Sequence, residues 1–154
     1  MATDSQLVIY TDGSSRGNPG RGGYGAVLHW GNTTKEISQG YRHTTNNRME
    51  LMAVLASLQL LKRDGLNITI YTDSAYIVNS VEKKWVFCWA KKNFAGKKNP
   101  DLWRKFLEYN RRNNIKFVWV KGHADNVWNN RCDILATQAA DGNNLIEDTG
   151  FMPE

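Results

Sequence analysis

The sequence predicts an α/β fold, a mixed sheet covered by helices. The strand-like segments crowd the first third of the chain, and helical and strand-like segments alternate after them. Two strands also end in the same triplet, Tyr10-Thr11-Asp12 and Tyr71-Thr72-Asp73. Strands joined by short turns pair antiparallel, whereas strands separated by helices pair parallel, so this order implies both kinds of pair.

Residues 6–11 read as a strand, and the glycine-rich segment 13–25 leads as hairpin punctuation into an apolar run at 26–30. Gly20-Arg21-Gly22-Gly23-Tyr24-Gly25 fits G-x-G-x-x-G, but a strand-like run follows where a dinucleotide-binding turn requires a helix. Gly31-Asn32 turns into a third strand at 33–41, completing an antiparallel trio. A helix begins near Asn47, where Asn47 and Glu50 have capping-box spacing, and runs to Asp64 before Gly65. Leu51, Val54, Leu55, Leu58 and Leu61 make its buried stripe. A fourth strand follows at 67–71, then a helix from about Ser74 carrying Ile77, Val78 and Val81. After a basic helical stretch and a lysine-rich loop, Pro100 helps to start a helix over 101–112. Residues 115–120 form a fifth strand and 129–140 a last helix, with the tail from about Gly142 loosely held.

At 154 residues the chain suits one domain, 1–154, burying roughly 70% of its unfolded surface. The net charge of +5 favours a polyanionic partner such as nucleic acid or an anionic membrane surface. Cys88 and Cys132 show no CxxC spacing, which fits free thiols in a reducing compartment better than a disulfide scaffold or a zinc site. The polar N-terminus and the interrupted apolar stretch at 51–61 predict a soluble, cytoplasmic protein with no membrane partner.

Four acids, Asp12, Glu50, Asp73 and Asp133, sit at the edges of these elements. Brought together, they would form a carboxylate cage for divalent metal. Two-metal nucleases hold Mg²⁺ or Mn²⁺ on hard oxygen ligands, where the ions activate the attacking water and stabilise the leaving oxygen. Each acid also has a structural use. Asp12 suits a turn before Gly13, Asp73 an N-cap with Ser74, Glu50 a capping box, and Asp133 the first turn of a helix.

Seven motifs occur in order: Thr11-Asp12-Gly13-Ser14, Gly17-Asn18-Pro19-Gly20, Gly22-Gly23-Tyr24-Gly25-Ala26, Thr45-Asn46-Asn47-Arg48-Met49-Glu50-Leu51, Tyr71-Thr72-Asp73-Ser74, Val120-Lys121-Gly122-His123 and Asn129-Asn130-Arg131-Cys132-Asp133. Together with Leu145-Ile146-Glu147-Asp148-Thr149-Gly150 they resemble bacterial type 1 ribonuclease H through essentially the whole chain. The resemblance implies a ribonuclease H-like three-layer fold, with a five-stranded mixed sheet and helices on both faces. It implies endonucleolytic cleavage of the RNA strand of RNA–DNA hybrids, leaving 5′-phosphate and 3′-hydroxyl ends. Asp12, Glu50, Asp73 and Asp133 would bind two Mg²⁺ ions, with Mn²⁺ an alternative, and His123 would relay a proton or ease product release.

Discrimination of ribose requires polar groups aimed at the 2′-hydroxyl across a shallow minor groove. Asn18 and the Thr45-Asn46-Asn47 segment match positions on the RNA strand, as does Glu50, although the asparagines also suit a turn and a helix cap. Between Lys83 and Lys98 six lysines and no acids interleave with aromatics, resembling the family's DNA-gripping basic handle. Lys83, Lys84, Lys91 and Lys92 are its phosphate candidates, and Trp85 and Trp89 its sugar contacts or partly its core. Three departures stand out: Ala75 where glutamine is common, a shorter loop after Phe94, and Val127-Trp128 where proline and an acid are common. Family members of this size act as monomers without an obligate partner. A DNA nuclease using the same cage, or a hybrid-binding module that does not cut, are the competing readings.

Overall fold

The computed structural model describes residues 6–120 and 126–152. Strands β1 (Leu7–Arg16), β2 (Gly20–Trp30) and β3 (Thr33–Thr44) form an antiparallel meander. Helix α1 (Asn46–Leu58) crosses to β4 (Asn67–Thr72), which pairs parallel with β1. Helices α2 (Ala75–Glu82), α3 (Trp85–Lys91) and α4 (Pro100–Arg112) lead to β5 (Asn114–Trp119), parallel to β4. Helix α5 (Val127–Asp141) and a short strand β6 (Leu145–Ile146) complete a six-stranded sheet in the order β5-β4-β1-β2-β3-β6.

The sixth strand corrects the expectation of five. Leu145 and Ile146 pair in parallel with Gly40 and Tyr41, a bridge too short to leave any alternation in sequence. The expectation of a loosely held tail is corrected for the segment around it. The Asp148 carboxylate is 2% exposed and bound to Arg48, and Phe151 lies 5.4 Å from the His43 ring. A buried ion pair between distant residues has no local signature.

The main core lies between the sheet and α1, α2 and α4. Ile9, Ile68, Ile70 and Phe117 project from the strands against Leu51, Leu55, Leu58, Ile77, Trp103 and Phe106. Helix α5 covers the other face through Cys132, Ala136 and Ala140, all fully buried at four-residue spacing. Glycines let it settle there. A Cβ on Gly23 would stand 2.5 Å from the Ala136 carbonyl oxygen, on Gly25 2.5 Å from that of Cys132, and on Gly40 2.2 Å from that of Ala139. The neighbouring Gly22 faces α1 instead, where a Cβ would stand 3.0 Å from Met49 Cγ. The glycine-rich segment is therefore a smooth floor extending both hairpin strands, which run to Arg16 and from Gly20.

Helix α1 is capped by Thr45, whose hydroxyl accepts a hydrogen bond from the Arg48 amide at 3.3 Å, and the helix ends at Leu58 rather than at Asp64. The expected Asn47–Glu50 capping box is replaced by this cap, which releases Glu50 to face the sheet.

Candidate active site

The parallel register of β1 and β4 pairs Tyr10 with Tyr71, so Asp12 and Asp73, each two residues further on, stand at the same level. Asp12 lies within β1, which continues to Arg16 rather than ending there as expected, and Asp73 just past the end of β4. Their strands are separated by roughly 4.8 Å, the usual inter-strand spacing. Glu50 arrives from α1 because Gly13 has no side chain. A Cβ at Gly13 would lie 2.3 Å from the Glu50 amide nitrogen and 2.5 Å from the Met49 carbonyl carbon. Close approach of helix to strand is thus what joins the third acid to the pair.

Asp12, Glu50 and Asp73 each offer a carboxylate oxygen, and these oxygens lie within 4.8 Å of one another. Asp12 is 3% exposed and Glu50 9%. Asp12 Oδ1 accepts from the Gly13 amide at 2.9 Å, while Glu50 Oε1 is buried with no hydrogen-bonding partner among the described residues. Burial, followed by the charge of Asp73, pushes the Asp12 carboxyl up to about 8, with Asp133 adding to the rise and the Gly13 amide opposing it. Burial and the charges of Asp12 and Asp73 hold Glu50 well above the carboxylate range. Like charges converging in a desolvated place favour protonation unless a cation joins them. An orphaned buried oxygen among hard donors fits a divalent metal such as Mg²⁺ or Mn²⁺.

Neighbouring contacts tie down the backbone beside Asp12 and Asp73. Trp119 Nε1 donates to the Asp73 carbonyl at 3.2 Å, and Ser74 caps α2 by accepting from the Ile77 amide at 3.2 Å. The Cys132 thiol, pushed up to about 12 chiefly by burial, donates to the Tyr10 carbonyl at 3.2 Å and pins α5 beside β1. Asp133, the next residue, is exposed and stands outside the cluster of three, though near enough for its charge to raise Asp12. The structure therefore brings together three of the four expected acids and sets the fourth nearby. His123 lies outside the described residues.

The candidate substrate residues surround the start of α1. Asn18 Oδ1 accepts from the Asn46 amide at 3.1 Å, tying the β1–β2 turn to the helix end, and Asn46 and Asn47 are exposed. Asn47, Trp85, Trp89, Lys97, Lys98 and Asn99 share the lining of a groove of about 320 Å³ between α1 and α3. Lys83, Lys84, Lys91 and Lys92 are exposed around α3. Trp89 packs edge-on to buried Trp103 at 6.2 Å, whereas Trp85 is 44% exposed, so only Trp89 has the partial core role expected of both. Lys97 Nζ lies 5.2 Å from the Trp89 ring centre, within cation–π range.

Sequence reasoning leaves several site-supporting residues unassigned. Gly13 reads only as a turn, and Arg48 only as part of a motif. Lys97 and Lys98 are visible in the basic run but not distinguishable from their neighbours. Trp128, which stands where an acid is common, packs 4.5 Å from His29 and 6.4 Å from Tyr10, so its apolar surface has a local explanation.

A mixed sheet with helices on both faces, carrying a buried carboxylate within one strand and a half-buried one just past the end of its parallel neighbour, has the architecture of the RNase H-like nucleases. The family model described as RNase H matches residues 4–141. The Ribonuclease H of Syntrophus aciditrophicus is 49% identical over 95% of this chain and 87% of its own length. That of Idiomarina loihiensis is 44% identical over 100% of both chains. Among solved structures, LC9-RNase H1, described as a type 1 RNase H with the type 2 active-site motif, superposes with a TM-score of 0.78 at 27% identity, covering 91% of this chain and 74% of its own. LC11-RNase H1 in complex with RNA/DNA hybrid superposes with a TM-score of 0.62 at 27% identity, over 88% of this chain and 96% of its own. The chain belongs to the bacterial RNase H family. It is a hydrolytic nuclease of a divalent-metal-dependent family. No helix among the described residues is long and apolar enough to cross a membrane.

Proposed function

We propose that this chain is an endoribonuclease that hydrolyses the RNA strand of RNA–DNA hybrids, leaving 5′-phosphate and 3′-hydroxyl ends. The observation that carries the reading is the cluster of Asp12, Glu50 and Asp73, with ligand oxygens within 4.8 Å and the buried Glu50 Oε1 lacking a hydrogen-bonding partner among the described residues. A structural relative in complex with RNA/DNA hybrid supports the substrate class. Asp12, Glu50 and Asp73 would hold two Mg²⁺, with Asp133 joining from α5 and Mn²⁺ an acceptable substitute. Two divalent ions there supply Lewis-acid stabilisation of the phosphate and activation of water.

The remaining work falls to the protein. Asp12 presents its oxygens from within β1 and Asp73 from just past the end of β4, and burial of Asp12 and Glu50 keeps bulk water from competing for the donors. Asn18, Thr45, Asn46 and Asn47 shape the surface that meets the RNA strand, where amide groups can both donate to and accept from a 2′-hydroxyl. The basic groove beside α3 holds the DNA strand by its phosphates. His123 carries a proton between the site and solvent. The chain acts as a single-domain monomer in the cytoplasm.

Strand-labelled hybrid, single-stranded RNA, RNA duplex and DNA duplex, each with and without Mg²⁺, test the reading. The expected result is cutting of the RNA strand of the hybrid alone, and only with metal. Hybrid binding without cleavage would overturn it in favour of a binding module.

A further inference from the structure

The segment after α5 lies beyond the residues that the RNase H model matches, which end at 141, yet it reaches back to the helix that carries Glu50. Asp148 accepts from Thr44 Oγ1 at 2.7 Å and from Arg48 Nε and Nη2 at 2.7 and 2.9 Å. Arg48 is 2% exposed. Its Nη1 and Nη2 also donate to the Asp101 carboxylate at 3.0 and 2.8 Å, and Nη1 donates to Asn99 Oδ1 at 3.2 Å. These bonds occupy all five donors of a rigid planar fork, so the guanidinium has one orientation available to it.

Arg48 lies in the opening turn of α1, two residues before Glu50. Inward movement of this turn is blocked, because Gly13 already touches the Glu50 backbone with no side chain to spare. Outward movement is opposed by the ties from Arg48 to Asp148, Asp101 and Asn99 and by the bond from Asn46 to Asn18. Mg²⁺ demands near-ideal octahedral geometry at roughly 2.0–2.1 Å, so slack of a few tenths of an ångström in Glu50 weakens its binding.

We propose that Asp148 is a positioning residue for the metal site, holding the opening turn of α1 through Arg48 and so setting the reach of Glu50 toward Asp12 and Asp73. It rests on the divalent-metal reading above. Asp148→Asn keeps the volume and removes the charge; Arg48→Lys keeps the charge and removes the fork. Mg²⁺ binding is read by calorimetry on the substrate-free chain, and half-saturating Mg²⁺ by hybrid cleavage. Both are read at a temperature where circular dichroism shows the variant folded.

The expected result is a rise of roughly 3- to 10-fold in both Mg²⁺ constants, below or at the low end of what second-sphere metal residues give, with activity recovering at high Mg²⁺. A purely structural tie would lower the thermal midpoint while leaving the Mg²⁺ affinity of the folded chain unchanged, and that result overturns the proposal. Should Asp148→Asn not fold, the same readouts on Arg48→Lys decide. Unaltered Mg²⁺ binding in the variants overturns the positioning role alone. Absence of Mg²⁺ binding by the unsubstituted chain overturns the metal reading and this proposal with it.

Discussion

The carboxylate edge and the basic groove are built on opposite principles. At the edge, two acids are almost fully buried, strand register and helix contact set their positions, and a polar oxygen is left without a hydrogen-bonding partner among the described residues. At the groove the lysines are exposed, and what is held firmly is the aromatic base beneath them, Trp89 against Trp103. Chemistry needs fixed donors in a water-poor place, whereas a grip on phosphates works at longer range with mobile charges. Substitutions at the edge should therefore alter turnover with little change in hybrid binding, and substitutions in the groove should do the reverse.

The largest effect is expected from Asp73→Asn, which keeps the shape and removes a metal-binding charge. Cleavage should fall by roughly 10³-fold, about 4 kcal/mol of transition-state stabilisation, while hybrid affinity in the presence of Ca²⁺ stays within a few-fold. Parallel loss of binding and turnover would break the division between the two regions. His123→Ala should cost less, roughly 10²-fold, near the low end of acid–base contributions, and should leave Mg²⁺-dependent cleavage measurable. Complete loss of turnover with metal binding intact would reject a helper role for this histidine.

The two regions are also unequally legible in the sequence. The repeated Tyr-Thr-Asp is enough to set Asp12 and Asp73 side by side, because parallel pairing aligns equivalent positions of two strands, even though β1 runs on to Arg16 and does not end at Asp12 as the sequence suggests. Glu50 is harder, since its spacing from Asn47 also fits a capping box; only the observation that Thr45 caps the helix frees it for the site. Gly23 and Gly25 read as turn punctuation because a missing Cβ looks alike in a turn and beneath a packed helix. The Arg48–Asp148 pair joins residues 100 apart, and such contacts leave no pattern in a single sequence. In the groove, the run of lysines is legible as a basic element, but not which of them line it.

A pH titration sharpens the contrast at the edge. In the folded, metal-free chain Asp12 keeps its proton to about pH 8, and Glu50 is shifted in the same direction. The unfolded chain releases both protons near the ordinary carboxylate values, roughly 4. Between those limits the folded state binds more protons, so the stability from this source is full at low pH and is lost as pH rises through about 8. Urea midpoints measured in EDTA should thus carry a falling contribution between roughly pH 5 and pH 9 that Mg²⁺ removes, since a bound cation favours the ionised carboxylates. An equal Mg²⁺ effect at both pH values would show that the cluster is not under the like-charge repulsion described.

The smallest effect belongs to the groove. Replacing Lys97 and Lys98 with alanine removes two charges from its lining, and Asn47 and Asn99 remain to shape it. If both contact phosphates, the slope of log affinity against log salt should flatten by about 1 per lysine, with turnover at saturating hybrid unchanged. The same pair of substitutions made at Lys91 and Lys92, exposed around α3 but outside the groove lining, should flatten the slope less. Equal flattening from both pairs would mean that the basic element acts as a diffuse field around the hybrid, and the groove would lose its claim to be where the DNA strand is held.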